Sequence, residues 1–249
     1  MTSLSGTGTF YLRQLSPSGY VEYSSNNTSW SNVNSWPLTF TNTAPSSGVL
    51  TIQFTTNIVF INIVEQFIIN SNNITINGQY LGNNYTLTVD GVANFPGLIK
   101  NGTLSVGGYT NITIQNLGIL VTGATTLAAY DGWLCSRYFG KGMSTGSISI
   151  LSCYSTGNIS GIKSGGIMGS YLGSNASGGS ITIQNCYSTG TIGGAAGGIM
   201  GSYAKNAATG GTLVVQSCYS TGTIATSGGG IMGQYAGYGT SNGSIAVQN

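Results

Sequence analysis

Ionisable side chains are so few in this chain that its possible chemistry can be surveyed residue by residue. There are six Lys and Arg, four Asp and Glu, and no His in 249 residues. The carboxylates are Glu22, Glu65, Asp90 and Asp131. Asp90 and Asp131, with Arg137 and Lys141 following the second, are the set that suits cleavage of a polysaccharide. A glycoside hydrolase needs an acid and a second carboxylate, and a lyase needs a base and a cation. Both aspartates also precede glycine, in Val89-Asp90-Gly91 and Tyr130-Asp131-Gly132, which is a common turn signature. Without His, no nucleophile–His–Asp triad can form.

Aromatic residues gather beside the same charges. Tyr130, Trp133 and Tyr138 lie with Asp131, Arg137 and Lys141 between Thr122 and Ser144. As an excursion from a regular scaffold, this stretch is where function tends to sit. Its three rings form a candidate glycan platform; the alternative is a loop that buries Trp133 and Tyr138 as a local cluster. The four cysteines, Cys135, Cys153, Cys186 and Cys218, come without His or a CxxC pair. That is a poor zinc site, so no metal or cofactor is expected. Buried reduced thiols suit assembly in a reducing compartment.

The scaffold that must position these groups is a repeat. Cys153, Cys186 and Cys218 each open a Cys-Tyr-Ser-Thr-Gly pentapeptide, and Ile167, Ile199 and Ile231 each sit in Gly-Gly-Ile-Met-Gly, at steps of 32 or 33 residues. Such a period signals a repeat architecture. Ahead of each cysteine is a short alternating strand, for example Ile181-Thr182-Ile183-Gln184. Its counterparts can be followed back through Ile148, Ile112, Ile74 and Leu50, and forward to Leu213 and Ile245. Three strand-like runs per repeat, broken by Gly, Ala, Ser and Asn, predict a right-handed parallel β-helix of about six to seven rungs with three strands per rung. The isoleucine side should be the core. Adjacent rungs of this coil could bring Asp90, Asp131, Arg137 and Lys141 onto one face.

Three further expectations follow. Residues 1–45, rich in aromatics and carrying Pro17, Pro37 and Pro45, do not fit the repeat; they read as an amino-terminal cap, or an anchoring or oligomerisation segment, ahead of a β-helix over 46–249. The last rungs, from about residue 145, are near copies, and 122–144 reads as a loop insertion. By strict alternation, Met168, Met200 and Met232 point outward opposite Ile167, Ile199 and Ile231. An exposed methionine stripe is a candidate contact surface, the seam along which a homotrimer of β-helices would pack.

The net charge of +2, spread over scattered residues, argues against nucleic acid, which needs a clustered basic surface. The first residues lack the basic start and apolar run of a signal peptide, and the most apolar window, Ile58 to Asn70, is too short and polar to span a membrane. The chain stops one strand into a rung, so either that strand closes the last turn or the chain is a fragment.

The run Asn-Cys-Tyr-Ser-Thr-Gly-Thr-Ile-Gly-Gly-Ala-Ala-Gly-Gly-Ile-Met-Gly at Asn185–Gly201 resembles the GLUG-type repeat of large bacterial surface proteins, adhesins and protease-associated modules. The likeness covers residues 152–235 and departs from the pattern in its methionine and its short array. In composition the chain also resembles β-helical structural proteins of giant viruses and virophages. These resemblances imply display on a virion or cell surface and bring no catalytic residues. The expectation from sequence is therefore a non-enzymatic structural or attachment protein, a trimeric β-helical fibre or spike that meets a surface glycan or host receptor. The alternative is a carbohydrate-active β-helix, either a lyase or hydrolase or a non-catalytic glycan-binding module.

Overall fold

The computed structural model describes residues 1–16 and 19–249 and is all-β, a parallel β-helix of about eight turns. Pro17 lies outside the described residues. One face is a sheet of ten strands. Eight of them run parallel in chain order: Gly8–Gln14, Leu50–Phe54, Ile74–Asn77, Ile112–Gln115, Ser147–Leu151, Ser180–Gln184, Thr212–Gln216 and Ser244–Gln248. Like residues stack in register, Ile74 on Ile112 on Ile148 on Ile181. The isoleucines are buried and the threonines between them face outward, as period-two alternation requires.

The second face stacks Ile58–Phe60, Thr86–Asp90, Gly118–Thr122, Tyr154–Ser155, Tyr187–Ser188 and Tyr219–Ser220. The third stacks Thr2–Gly6, Leu38–Asn42, Phe67–Ile69 and Ile99–Lys100, then narrows to single bridges through Cys135, Met168, Met200 and Met232. The corner after the first face is turned by Asn116, Ser152, Asn185 and Ser217 in the left-handed region, at φ of 57°, 53°, 54° and 50°. Asn is among the few side chains that tolerate it. Cys153 and Cys186 follow the corner and point inward, fully buried. Their sulfurs sit in a backbone ladder: the Cys153 amide donates to Cys186 Sγ at 3.4 Å, and the Cys186 amide to Cys218 Sγ at 3.4 Å.

Three details depart from the sequence-based expectations. Residues 1–16 already form a turn of the coil, because Thr2–Gly6 pairs with Leu38–Asn42 and Gly8–Gln14 with Leu50–Phe54. The cap proper is the antiparallel extension of Val21–Ser24 and Ser31–Asn32, which covers the edge of the first rung. Arg13, on Gly8–Gln14, donates through Nε to Glu22 Oε2 of Val21–Ser24 at 2.7 Å and lies over Trp30.

Residues 122–144 are not an inserted loop. Gly132 bridges Gly165 and Cys135 bridges Met168, so Gly132-Trp133-Leu134-Cys135 takes the place that Gly-Gly-Ile-Met takes in later rungs. Trp133 is buried against Phe95, with ring centroids 6.2 Å apart, and its Nε1 donates to Gly157 O at 3.1 Å. A Cβ on Gly157 would come within 2.4 Å of that indole, so the glycine is there to admit the ring.

Met168 and Met200 are also fully buried, as are Ile167 and Ile199. The amides of Ile167 and Met168 both donate to Ile199 O. Two successive donors on one carbonyl mark a bulge, where alternation breaks. Both side chains therefore turn inward, and the methionine column fills the core instead of offering a seam. Met232, in the last complete repeat, is partly buried against the same core.

Candidate functional site

The corner after the third face carries a column of tyrosines. Tyr138, Tyr171, Tyr203 and Tyr235 have φ of 63°, 61°, 61° and 60°, a region that bulky residues rarely enter. Their rings stack at centroid distances of 4.9, 5.0 and 5.1 Å. Left-handed geometry directs each ring outward onto its neighbour, and stacking opposes the strain. Lys163 sits beside this column, its Nζ 3.4 Å from Tyr203 Oη and 5.7 Å from the Tyr130 ring. A second column, Tyr154, Tyr187 and Tyr219, stacks at 4.9 and 5.2 Å on the other side of the first face.

The first column stops at Tyr138 because the preceding rung cuts the corner. The Ser136 amide donates to Ile99 O at 2.9 Å and the Gly140 amide to Asn101 O at 3.0 Å. Four residues of one rung thus span what two residues cover in the rung before. Later rungs match in length, since Gly169 donates to Cys135 O and Gly173 to Phe139 O. Lys100 alone crosses the short corner, so Arg137 and Tyr138 have no counterpart beneath them. The vacated space is a cavity of about 310 Å³ lined by Lys100, Leu104, Asp131, Ser136, Arg137 and Tyr138, with Gln66, Pro96, Gly102 and Thr103 completing its wall.

Each wall is fixed from behind. Asn101 is fully buried and clamps the base of the 102–108 loop, its Oδ1 accepting from the Tyr109 amide at 2.6 Å and its Nδ2 donating to Tyr109 O at 2.9 Å. Lys141 Nζ bonds Leu104 O from outside the cavity. Ser136 Oγ donates to Pro96 O at 2.7 Å, and Gln66 Nε2 to Gly97 O at 2.6 Å.

Asp131 is the chemical centre. It is 1% exposed. Its Oδ1 accepts the Arg137 amide at 2.8 Å. Its Oδ2 has no hydrogen bond; the nearest cation, Arg137 Nη2, is 3.6 Å away. Burial pushes the carboxyl up to about 6, and the Arg137 amide, the Arg137 guanidinium and the Lys100 charge hold it from going higher. Desolvation of an anion raises its pKa and nearby cations lower it. At neutral pH the cavity therefore holds one carboxylate, two cations and a tyrosine ring. It can accept a hydrogen bond, neutralise an anion and stack an apolar ring face.

The structure brings Asp131, Arg137 and Tyr138 together and leaves the other expected residues apart. Asp90 ends the Thr86–Asp90 strand of the second face, exposed, and takes a 2.7 Å hydrogen bond from Thr122 Oγ1; Gly91 follows at φ 67°, as the turn reading required. Among the described residues, Asp131 is the single carboxylate lining this cavity, and Asp90 does not join it there. Lys141 supports the wall and does not line it. The three-ring platform fails as well: Trp133 is in the core, and Tyr130 and Tyr138 both face Tyr171, at 6.3 and 4.9 Å. Lys100, Gln66 and Leu104 were missed, because only the rung-length mismatch brings them to Asp131. Comparison with known protein families, with characterised proteins and with solved structures gives no match to this chain.

Proposed function

We propose that this protein is a non-enzymatic structural and attachment protein, a stiff solenoid that holds one ligand-sized notch on its side. The observation that carries this reading is the parallel ladder itself, unbroken from Gly8–Gln14 to Ser244–Gln248. Its outer rows are stacked tyrosines and short polar side chains, with six basic and four acidic residues in the whole chain. Such a coil fixes the notch against two rungs at once, which is what a recognition surface needs. At about 310 Å³ the notch is at the small end of ligand sites, which run from about 300 to 1,000 Å³.

A lyase is the second reading, favoured by one observation: a carboxyl held near 6 with Lys100 and Arg137 beside it is poised as a base at neutral pH. One experiment separates them. Purified protein is incubated with immobilised acidic and neutral polysaccharides, and both retention and release of unsaturated or reducing ends are followed. Attachment predicts retention without turnover. Turnover that Asp131→Asn abolishes would overturn the attachment reading in favour of the lyase.

A further inference from the structure

We infer that the notch beneath Tyr138 binds a single sugar residue bearing a carboxylate, a uronic acid unit of an acidic glycan. This deepens the attachment reading and rests on it. Four features of the cavity point to that ligand. Asp131 is buried, lines the cavity and leaves Oδ2 without a hydrogen bond. A buried acceptor without a donor is costly, and a sugar hydroxyl supplies the donor. Arg137, whose side chain is half-exposed, and Lys100 line the same cavity and outnumber the one carboxylate. The ligand that balances them carries a negative charge, and guanidinium matches carboxylate in two-point geometry. Tyr138 is the last ring of its column, with Tyr171 stacked on it at 4.9 Å on one side. Its place in the preceding rung is empty of a ring because Lys100 crosses that corner alone. A sugar ring entering the notch takes the position of the missing tyrosine, its apolar C–H face toward Tyr138. The volume holds one such ring, with the rest of a chain leaving past the 102–108 loop.

Size alone would admit a neutral sugar; the two cations make the distinction. Asp131 adds a pH signature. From pH 7 to pH 5 it passes through its pKa of about 6, so a like charge beside the ligand carboxylate is removed. Preference for the acidic sugar therefore widens as pH falls.

The test is equilibrium binding of glucuronate and of glucose, which differ at one carbon, to the full chain by calorimetry and by chemical-shift perturbation. Glucuronate should bind at least tenfold more tightly than glucose at pH 7, and the ratio should grow severalfold at pH 5. Arg137→Gln should cost glucuronate about tenfold and leave glucose nearly unchanged. Lys100→Gln, at a different element, repeats the test should the first variant fold poorly, and circular dichroism checks each. Equal binding of the two sugars, a ratio insensitive to both variants, or no binding of either at millimolar concentration overturns the inference. In that last case the attachment reading still stands if the chain is retained on a polysaccharide surface without turnover; it fails separately if turnover is seen.

Discussion

The clearest quantitative consequence of the notch concerns Asp131. Its carboxyl is held at about 6 against an ordinary value of 3.8. The folded state therefore holds this proton more tightly than the unfolded chain does. Stability contributed by the neutral form is present at low pH and is lost as pH rises from about 4 to about 6. Integrating proton linkage over those two values gives a loss of about 2 kcal/mol between pH 4 and pH 7 from this single group. The assay is direct because carboxyls are scarce: carbon-detected spectra of a chain with two Asp and two Glu contain few titrating signals, and Asp90→Asn assigns the remaining Asp. Asp131 should titrate near pH 6. Arg137→Ala removes a half-exposed cation that holds the carboxyl down, so it should raise the value further. In Asp131→Asn the pH-dependent loss between 4 and 7 should shrink by about 2 kcal/mol in denaturant unfolding. An Asp131 carboxyl that titrates near 4 would refute the account of the notch as a desolvated site.

Other outcomes can be checked with single substitutions. Trp133→Ala should destabilise by about 3–5 kcal/mol, and Gly157→Ala by about 1–3 kcal/mol, since the added carbon meets the indole; thermal unfolding measures both. The glycine substitution should cost much less in a Trp133→Leu background, so a double-mutant cycle that shows strict additivity would contradict the contact. Tyr187→Ala removes stacking on both sides, at 4.9 and 5.2 Å, and should cost about 1–2 kcal/mol. Cys135, Cys153 and Cys186 are buried, and burial raises the Cys135 thiol well above its ordinary value. A thiol reagent should therefore leave these three untouched in the native protein and reach all four cysteines on unfolding; fast native reaction at more than the partly exposed Cys218 would argue against the cysteine ladder.

The fold was legible because its information is periodic and local. Ile74-Thr75-Ile76, Ile112-Thr113-Ile114 and Ile181-Thr182-Ile183 announce a strand, its buried side and its register together, and the structure stacks them in that register. Legibility failed where side chains leave alternation. Ile167 and Met168 are both buried because their amides share one acceptor, and a bulge has no signature in residue types alone. It failed again at Trp133 and Cys135, which stand where later rungs have Gly and Met, so that a regular corner read as an insertion. The first turn was hidden for a similar reason: Gly8–Gln14 pairs like any other rung but carries Phe10 and Tyr11 in place of the Ile-Thr-Ile pattern.

The site was half legible for a physical reason specific to coils. Asp131, Arg137 and Tyr138 lie within eight residues of one another and fold onto one corner, so composition alone drew attention to them. Lys100, Leu104 and Gln66 reach them from the rungs below, and which residue of one rung meets which residue of the next depends on the length of every corner between. In the near-identical later rungs those lengths are equal and the tyrosines stack without a gap. Between Ile99 and Asn101 the corner is two residues shorter than the next, and the cavity is the direct result. A notch on a solenoid thus arises from a mismatch between neighbouring rungs, not from a loop added to one of them. Lengthening the short corner by two residues after Lys100 should close it: Tyr138 would gain a neighbour below, Asp131 would lose the cavity it lines, and sugar binding would disappear while the fold persists. If an insertion that restores equal corners leaves binding intact, the ligand sits elsewhere on the coil.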